Sequence, residues 1–140
     1  MNLRTFEEFL REGSVRKQRV DVSRSKSLVE EAKTKKAFLT KVLQAMPWEE
    51  VDANYVVEAC YDILLELVRA KLLLQGLNSN NSHEAEVAYM RILGFSESDV
   101  SFMNELRYFR NSIKYYGKIM EKDFAKKVLD FLTRTHQKLA

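Results

Sequence analysis

The sequence is short of residues that break helices: one proline, Pro47, and four glycines among 140 residues. An all-β chain needs many tight turns, and those turns draw on Gly and Pro, so the scarcity excludes a sandwich or barrel and favours long helices with few stops. Cysteine is nearly absent. With Cys60 alone no internal disulfide can form, and its place in an apolar run predicts a buried, inert thiol. Only two histidines occur, His83 and His136, and neither sits in an HExxH or CxxC spacing, so neither a metal site nor a cofactor is expected. His83, beside Glu84 in a first helical turn, reads as a surface residue. No Gly-rich phosphate loop is present, because Gly76, Gly94 and Gly117 each read as isolated helix stops. No Ser/His/Asp set can be assembled from local sequence. No stretch approaches the roughly 18 uncharged apolar residues of a membrane span. Glu7 and Glu8 stand where a secretory leader would be apolar, so a cytoplasmic protein without membrane contact is expected.

Charge of neither sign dominates. Lys and Arg total 23 against 20 Asp and Glu, a net +3 that is too mild to declare a nucleic-acid binder. The clearest local excess runs from Arg16 through Arg19, Arg24 and Lys26 towards Lys36. It reads either as a solvated helix face with a basic arm or as a strip for phosphates.

What the chain does have is helical periodicity. With 46% hydrophobic residues it can build a core unaided. A short helix is expected over residues 5–11, closed by Gly13, and then a basic, weakly patterned connector over 14–21. A long helix follows over 22–46, with two competing starts: Asp21 as N-cap, or Ser27 with Glu30 as a capping box. Asp52 caps the next helix, 53–75, which is apolar nearly all round and so central, with Gly76 as its stop. Its acids Glu58, Asp62 and Glu66 fall four apart in one stripe. A polar loop over 76–82 leads to a short helix over 83–93. Ser96 with Asp99 opens a helix ending at Tyr116, and a final helix spans 118–138. The expected fold is an all-α, up-and-down bundle of four to five main helices at 22–140, preceded by an N-terminal short helix and connector at 1–21.

The unusual segment is 106–117. Leu106, Phe109, Ile113 and Tyr116 keep the helical period and are expected to face the core, with Arg110 at the polar border about 80° away. A guanidinium there can reach inward to the Glu58, Asp62 and Glu66 stripe as a structural pair, or outward to a phosphate. Tyr108, Tyr115 and Tyr116 stand among cations, where such rings either stack bases or pack a dimer interface.

Arg110-Asn111 followed by Tyr115-Tyr116-Gly117, late in a helical chain, resembles the HEPN family of higher eukaryote and prokaryote nucleotide-binding domains. The apolar helix with acids around Val56-Val57-Glu58 and the helix opening at Ser82-His83-Glu84 share the likeness, which covers most of the chain. The resemblance implies a helical bundle, usually a homodimer. Active members are metal-independent ribonucleases with an arginine followed a few residues later by a histidine. Arg110 matches that arginine, Asn111 the polar residue after it, and Tyr115 falls at the histidine position. A phenol with a reference pKa near 10 is a poor base at neutral pH, so the motif is degenerate. The resemblance therefore implies an RNA- or nucleotide-binding module, with Arg107, Arg110, Asn111, Lys114, Tyr115 and Lys118 as its contacts. It also implies a nucleotidyltransferase partner of the toxin–antitoxin kind. An active ribonuclease using Arg110, Asn111, Tyr115 or Tyr116, and a non-enzymatic homodimeric interaction module, are the other two readings. An ideal helix carries position 115 about 140° around from 110, so the two side chains diverge within one chain.

Overall fold

The computed structural model describes residues 2–139, and they form an all-α bundle. Its helices are α1 (Phe6–Glu12), α2 (Val22–Ala45), α3 (Ala53–Leu74), α4 (His83–Ile92), α5 (Glu97–Tyr116) and α6 (Lys122–Leu139). Among the described residues no helix is long and apolar enough to cross a membrane.

Local signals set most of the boundaries. Thr5, Asp21, Asp52, Ser82 and Ser96 each accept a hydrogen bond from a first-turn backbone N–H, satisfying donors that the helix leaves free. Asp21 wins the start of α2, and Ser27 lies inside the helix. Gly76 has φ +68, and a Cβ there would come within 2.7 Å of the Gln18 carbonyl oxygen. Both the left-handed turn and the close approach require glycine.

That approach corrects one expectation. Part of the 14–21 connector is a strand: β1 (Arg16–Lys17) pairs antiparallel with β2 (Leu77–Asn78), and the Gln18 N–H donates to the Gly76 carbonyl at 2.8 Å. The N-terminal residues also enter the common core. Phe6, Phe9 and Val15 are buried, and the Phe6 and Tyr89 rings meet at 4.8 Å.

α3 is the central helix. Val57, Cys60, Ile63, Leu64, Leu67 and Leu72 are fully or almost fully buried, with α2 and α6 packed along it and α4 and α5 against it. Each such side chain removed from water contributes about 1.5–3 kcal/mol. Phe102 and Phe109 of α5 close onto Phe124 and Phe131 of α6, with ring centroids 4.7–6.0 Å apart.

Helix α6 starts at Lys122, four residues later than its periodicity suggests. The Asn54 side chain explains the delay. Its amide donates to the Lys118 carbonyl at 2.8 Å and its oxygen accepts from the Met120 N–H at 2.7 Å, holding that stretch out of the helix. A second correction concerns the core face of α5. Leu106 is buried and Phe109 and Ile113 are partly so, but Tyr116 is 85% exposed, because the last turn of α5 runs past the end of the packed bundle.

Candidate functional site

Two adjoining cavities that could hold a ligand lie where α2, α3, α4 and α5 come together. On α3, residues Tyr61, Asp62, Glu66 and Arg69 follow helical spacing, so one flank of an otherwise apolar helix carries phenol, acids and base. α2 brings Glu31 and Lys35, α4 brings His83 from its first turn, and α5 brings Arg110. With Asp62, Glu66 and Arg69 they line a polar cavity of about 350 Å³, and Tyr61 stands behind it. A second, largely apolar cavity of about 670 Å³ adjoins it, lined by Phe38, Tyr55, Ala59 and Ile113 among others. Lys35 and Asp62 line both. The two are halves of one groove.

The two arginines in the polar half differ in how they are held. Arg69 grips the fully buried carboxylate of Glu86 with two hydrogen bonds, at 2.6 and 3.0 Å, and Ser79 donates to the same carboxylate at 2.7 Å. This arginine is a strut. Arg110 has a single acidic neighbour, Asp62, at 3.8 Å, and among the described residues its guanidinium donates no hydrogen bond. Its centre lies 6.0 Å from the Tyr61 ring, at the outer limit of a cation–π contact. Its side chain is 18% exposed and lines the polar cavity, so it retains donors for a guest. The expected carboxylate stripe is thus divided. Asp62 faces Arg110, Glu66 is taken by Lys35 at 2.6 Å, and Glu58 has no ion pair among the described residues.

His83 is the residue that sequence reading missed. It is half-buried, not a plain surface residue, and its Nδ1 lies 3.2 Å from the Tyr61 hydroxyl. Burial holds the Tyr61 phenol protonated above its usual range. That O–H has no other acceptor among the described residues, so it donates to Nδ1 and leaves the ring proton on Nε2. Burial also pulls the His83 pKa below its ordinary value, and the charges of Arg110 and Arg69 push the same way against Glu86. The imidazole is therefore neutral at pH 7. No local motif could announce this, since Tyr61 is 22 residues away in sequence.

The other residues expected at the site do not converge with Arg110. Arg107 donates to Asn104 at 3.0 Å and stacks on Tyr108; Lys118 lies over the Phe109 ring at 4.7 Å; Lys114 and Tyr115 are exposed. None of these, nor Asn111, lines the groove. Tyr115 is 66% exposed and turned away from Arg110, as helical geometry requires. Cys60 is buried and desolvation pushes its thiol up to about 12, so it is no nucleophile at neutral pH.

The polar half is lined by three cations (Lys35, Arg69, Arg110) and three carboxylates (Glu31, Asp62, Glu66). Any pull on an anion therefore comes from one under-coordinated guanidinium and not from a bulk positive field. The chain matches no family model, no curated protein and no solved structure.

Proposed function

We propose that this chain is a HEPN-type helical module that binds a nucleotide or RNA through Arg110 without cutting it efficiently. One observation carries the reading: Arg110 opens on a groove, weakly tethered to Asp62 at 3.8 Å, while the neighbouring Arg69 is held by two hydrogen bonds to the buried Glu86 carboxylate. A guanidinium fork in that state suits a phosphate. The residue at the family's histidine position, Tyr115, is a phenol that points into solvent, which removes the expected proton acceptor from that site. Homodimerisation belongs to the same proposal. Tyr115, Tyr116 and Ile119 are 66, 85 and 84% exposed, which leaves three large side chains in solvent at the end of α5 and on the turn after it. A nucleotidyltransferase partner is carried by the resemblance alone.

A second reading has its own observation. His83 supplies a neutral imidazole to the polar half where Arg110 stands, so a metal-independent ribonuclease could draw its base from α4 and not from the motif helix.

One experiment separates the readings. Labelled single-stranded RNA is incubated with the wild type, Arg110→Ala and His83→Gln in chelator, and both retention and product are scored. Salt-sensitive binding that Arg110→Ala weakens, with the RNA intact, supports the binding module. Cleavage lost in both variants supports the enzyme. RNA neither bound nor cut leaves only the protein-interaction reading.

A further inference from the structure

The apolar half of the groove carries a chemical peculiarity beyond its shape. Of its three acids, Asp52 is occupied in capping α3, accepting from the Asn54 and Tyr55 N–H groups at 3.0 and 3.4 Å. Asp62 stands at the seam beside Arg110. Glu58 alone has neither an ion pair nor a hydrogen bond among the described residues, although it is half-buried beside Tyr55, Phe38 and Ile113. An ionised carboxylate only accepts, so whatever completes this half must present N–H or O–H donors from a flat or apolar body.

We propose that the groove takes a guanine nucleotide, with the base between Phe38 and Tyr55, its Watson–Crick edge on Glu58, and its phosphate on Arg110. This rests on the nucleotide-binding reading above and names the base that reading leaves open. Guanine is the one common base with two adjacent donors on that edge, N1–H and the N2 amino group, and a carboxylate accepts both side by side. Adenine and cytosine offer one amino group beside a ring-nitrogen lone pair, and uracil offers one N–H flanked by carbonyls. Each of these sets a lone pair against the carboxylate. Phe38, 59% exposed on α2, and Tyr55, 37% exposed on α3, give the ring faces a stacking surface.

The order of groups along the groove agrees with the order within a nucleotide. Glu58 and Asp62 lie about one turn apart on α3, a rise of about 6 Å, and Arg110 and His83 line the polar half beyond Asp62. Asp62 then meets the ribose hydroxyls, which are donors. The phosphate replaces Asp62 as the partner of Arg110, and the Nε2–H of His83 is available to the same group.

The test is calorimetric titration of the full chain with GMP, AMP, CMP and UMP at low salt, with spermidine as a cation control. GMP is expected to bind about tenfold or more tightly than the others, the discrimination a bidentate base contact gives. Glu58→Gln should bring GMP down to the level of AMP, while Phe38→Ala weakens all four nucleotides. Thermal melts confirm that both variants fold; their sites are open to solvent. Equal affinities for the four nucleotides, or a GMP preference that survives Glu58→Gln, would overturn the inference. So would spermidine competing GMP away in a Glu58-dependent manner, since the pocket would then be a cation site. If mononucleotides fail to bind while RNA still binds through Arg110, the guanine assignment falls and the binding reading stands. If RNA also fails to bind, the binding reading itself is wrong.

Discussion

Tyr61 and His83 meet at 3.2 Å, phenol oxygen to Nδ1, and the imidazole is held in an environment that opposes its charge. Burial is the largest cause, with Arg110 and Arg69 adding to it and Glu86 and Asp62 working against it. Because the folded pKa lies below 6.5, the unfolded chain takes up this proton first as pH falls. Stability from a neutral His83 is therefore complete above about pH 6.5 and is lost as pH drops through that value. Thermal melts at pH 8, 6.5 and 5 should show a fall in midpoint that is shallower in His83→Gln. Some slope should remain in the variant, since burial and Lys36 lower the His136 pKa in the same direction. Identical slopes in both proteins would remove the constraint on His83.

The pair of Arg69 and Glu86 makes a second prediction. The Glu86 carboxylate is fully buried, and Arg69 supplies its only countercharge among the described residues. Arg69→Ala should cost about 3–5 kcal/mol in denaturant unfolding, the usual penalty for stranding a buried charge. Arg110→Ala removes no hydrogen bond among the described residues, and should cost less than about 1 kcal/mol. Equal costs for the two arginines would contradict their assignment as strut and free contact.

The exposed end formed by Tyr115, Tyr116 and Ile119 predicts self-association. Sedimentation at tens of micromolar should give a dimer for the wild type and a shift towards monomer for Ile119→Asp. A wild-type monomer at that concentration would discard the homodimer.

Much of the fold was legible because its signals are local. Asp52 and Ser82 cap helices within three residues of themselves, and Gly76 and Gly117 close helices by a left-handed turn. The position of Arg110 at the edge of the apolar stripe of α5 was legible too, from the helical period. What escaped depends on how helices pack. The Lys35–Glu66, Tyr61–His83 and Arg69–Glu86 contacts span 31, 22 and 17 residues, and each needs a particular rotation of one helix against another. The β1–β2 pairing joins Arg16 to Asn78 and Lys17 to Leu77, a longer gap still, and rests on two residues in each strand, too few for any alternation to register. The delayed start of α6 comes from Asn54, a residue on another helix.

The central claim is that the Arg110 guanidinium is available to a phosphate. Its most direct test is the affinity for single-stranded RNA measured against salt concentration, wild type beside Arg110→Ala. The account predicts a loss of about tenfold at low salt and a log–log salt slope reduced by about one in the variant, the signature of one lost phosphate contact. Matching affinities and matching slopes for the two proteins would contradict it.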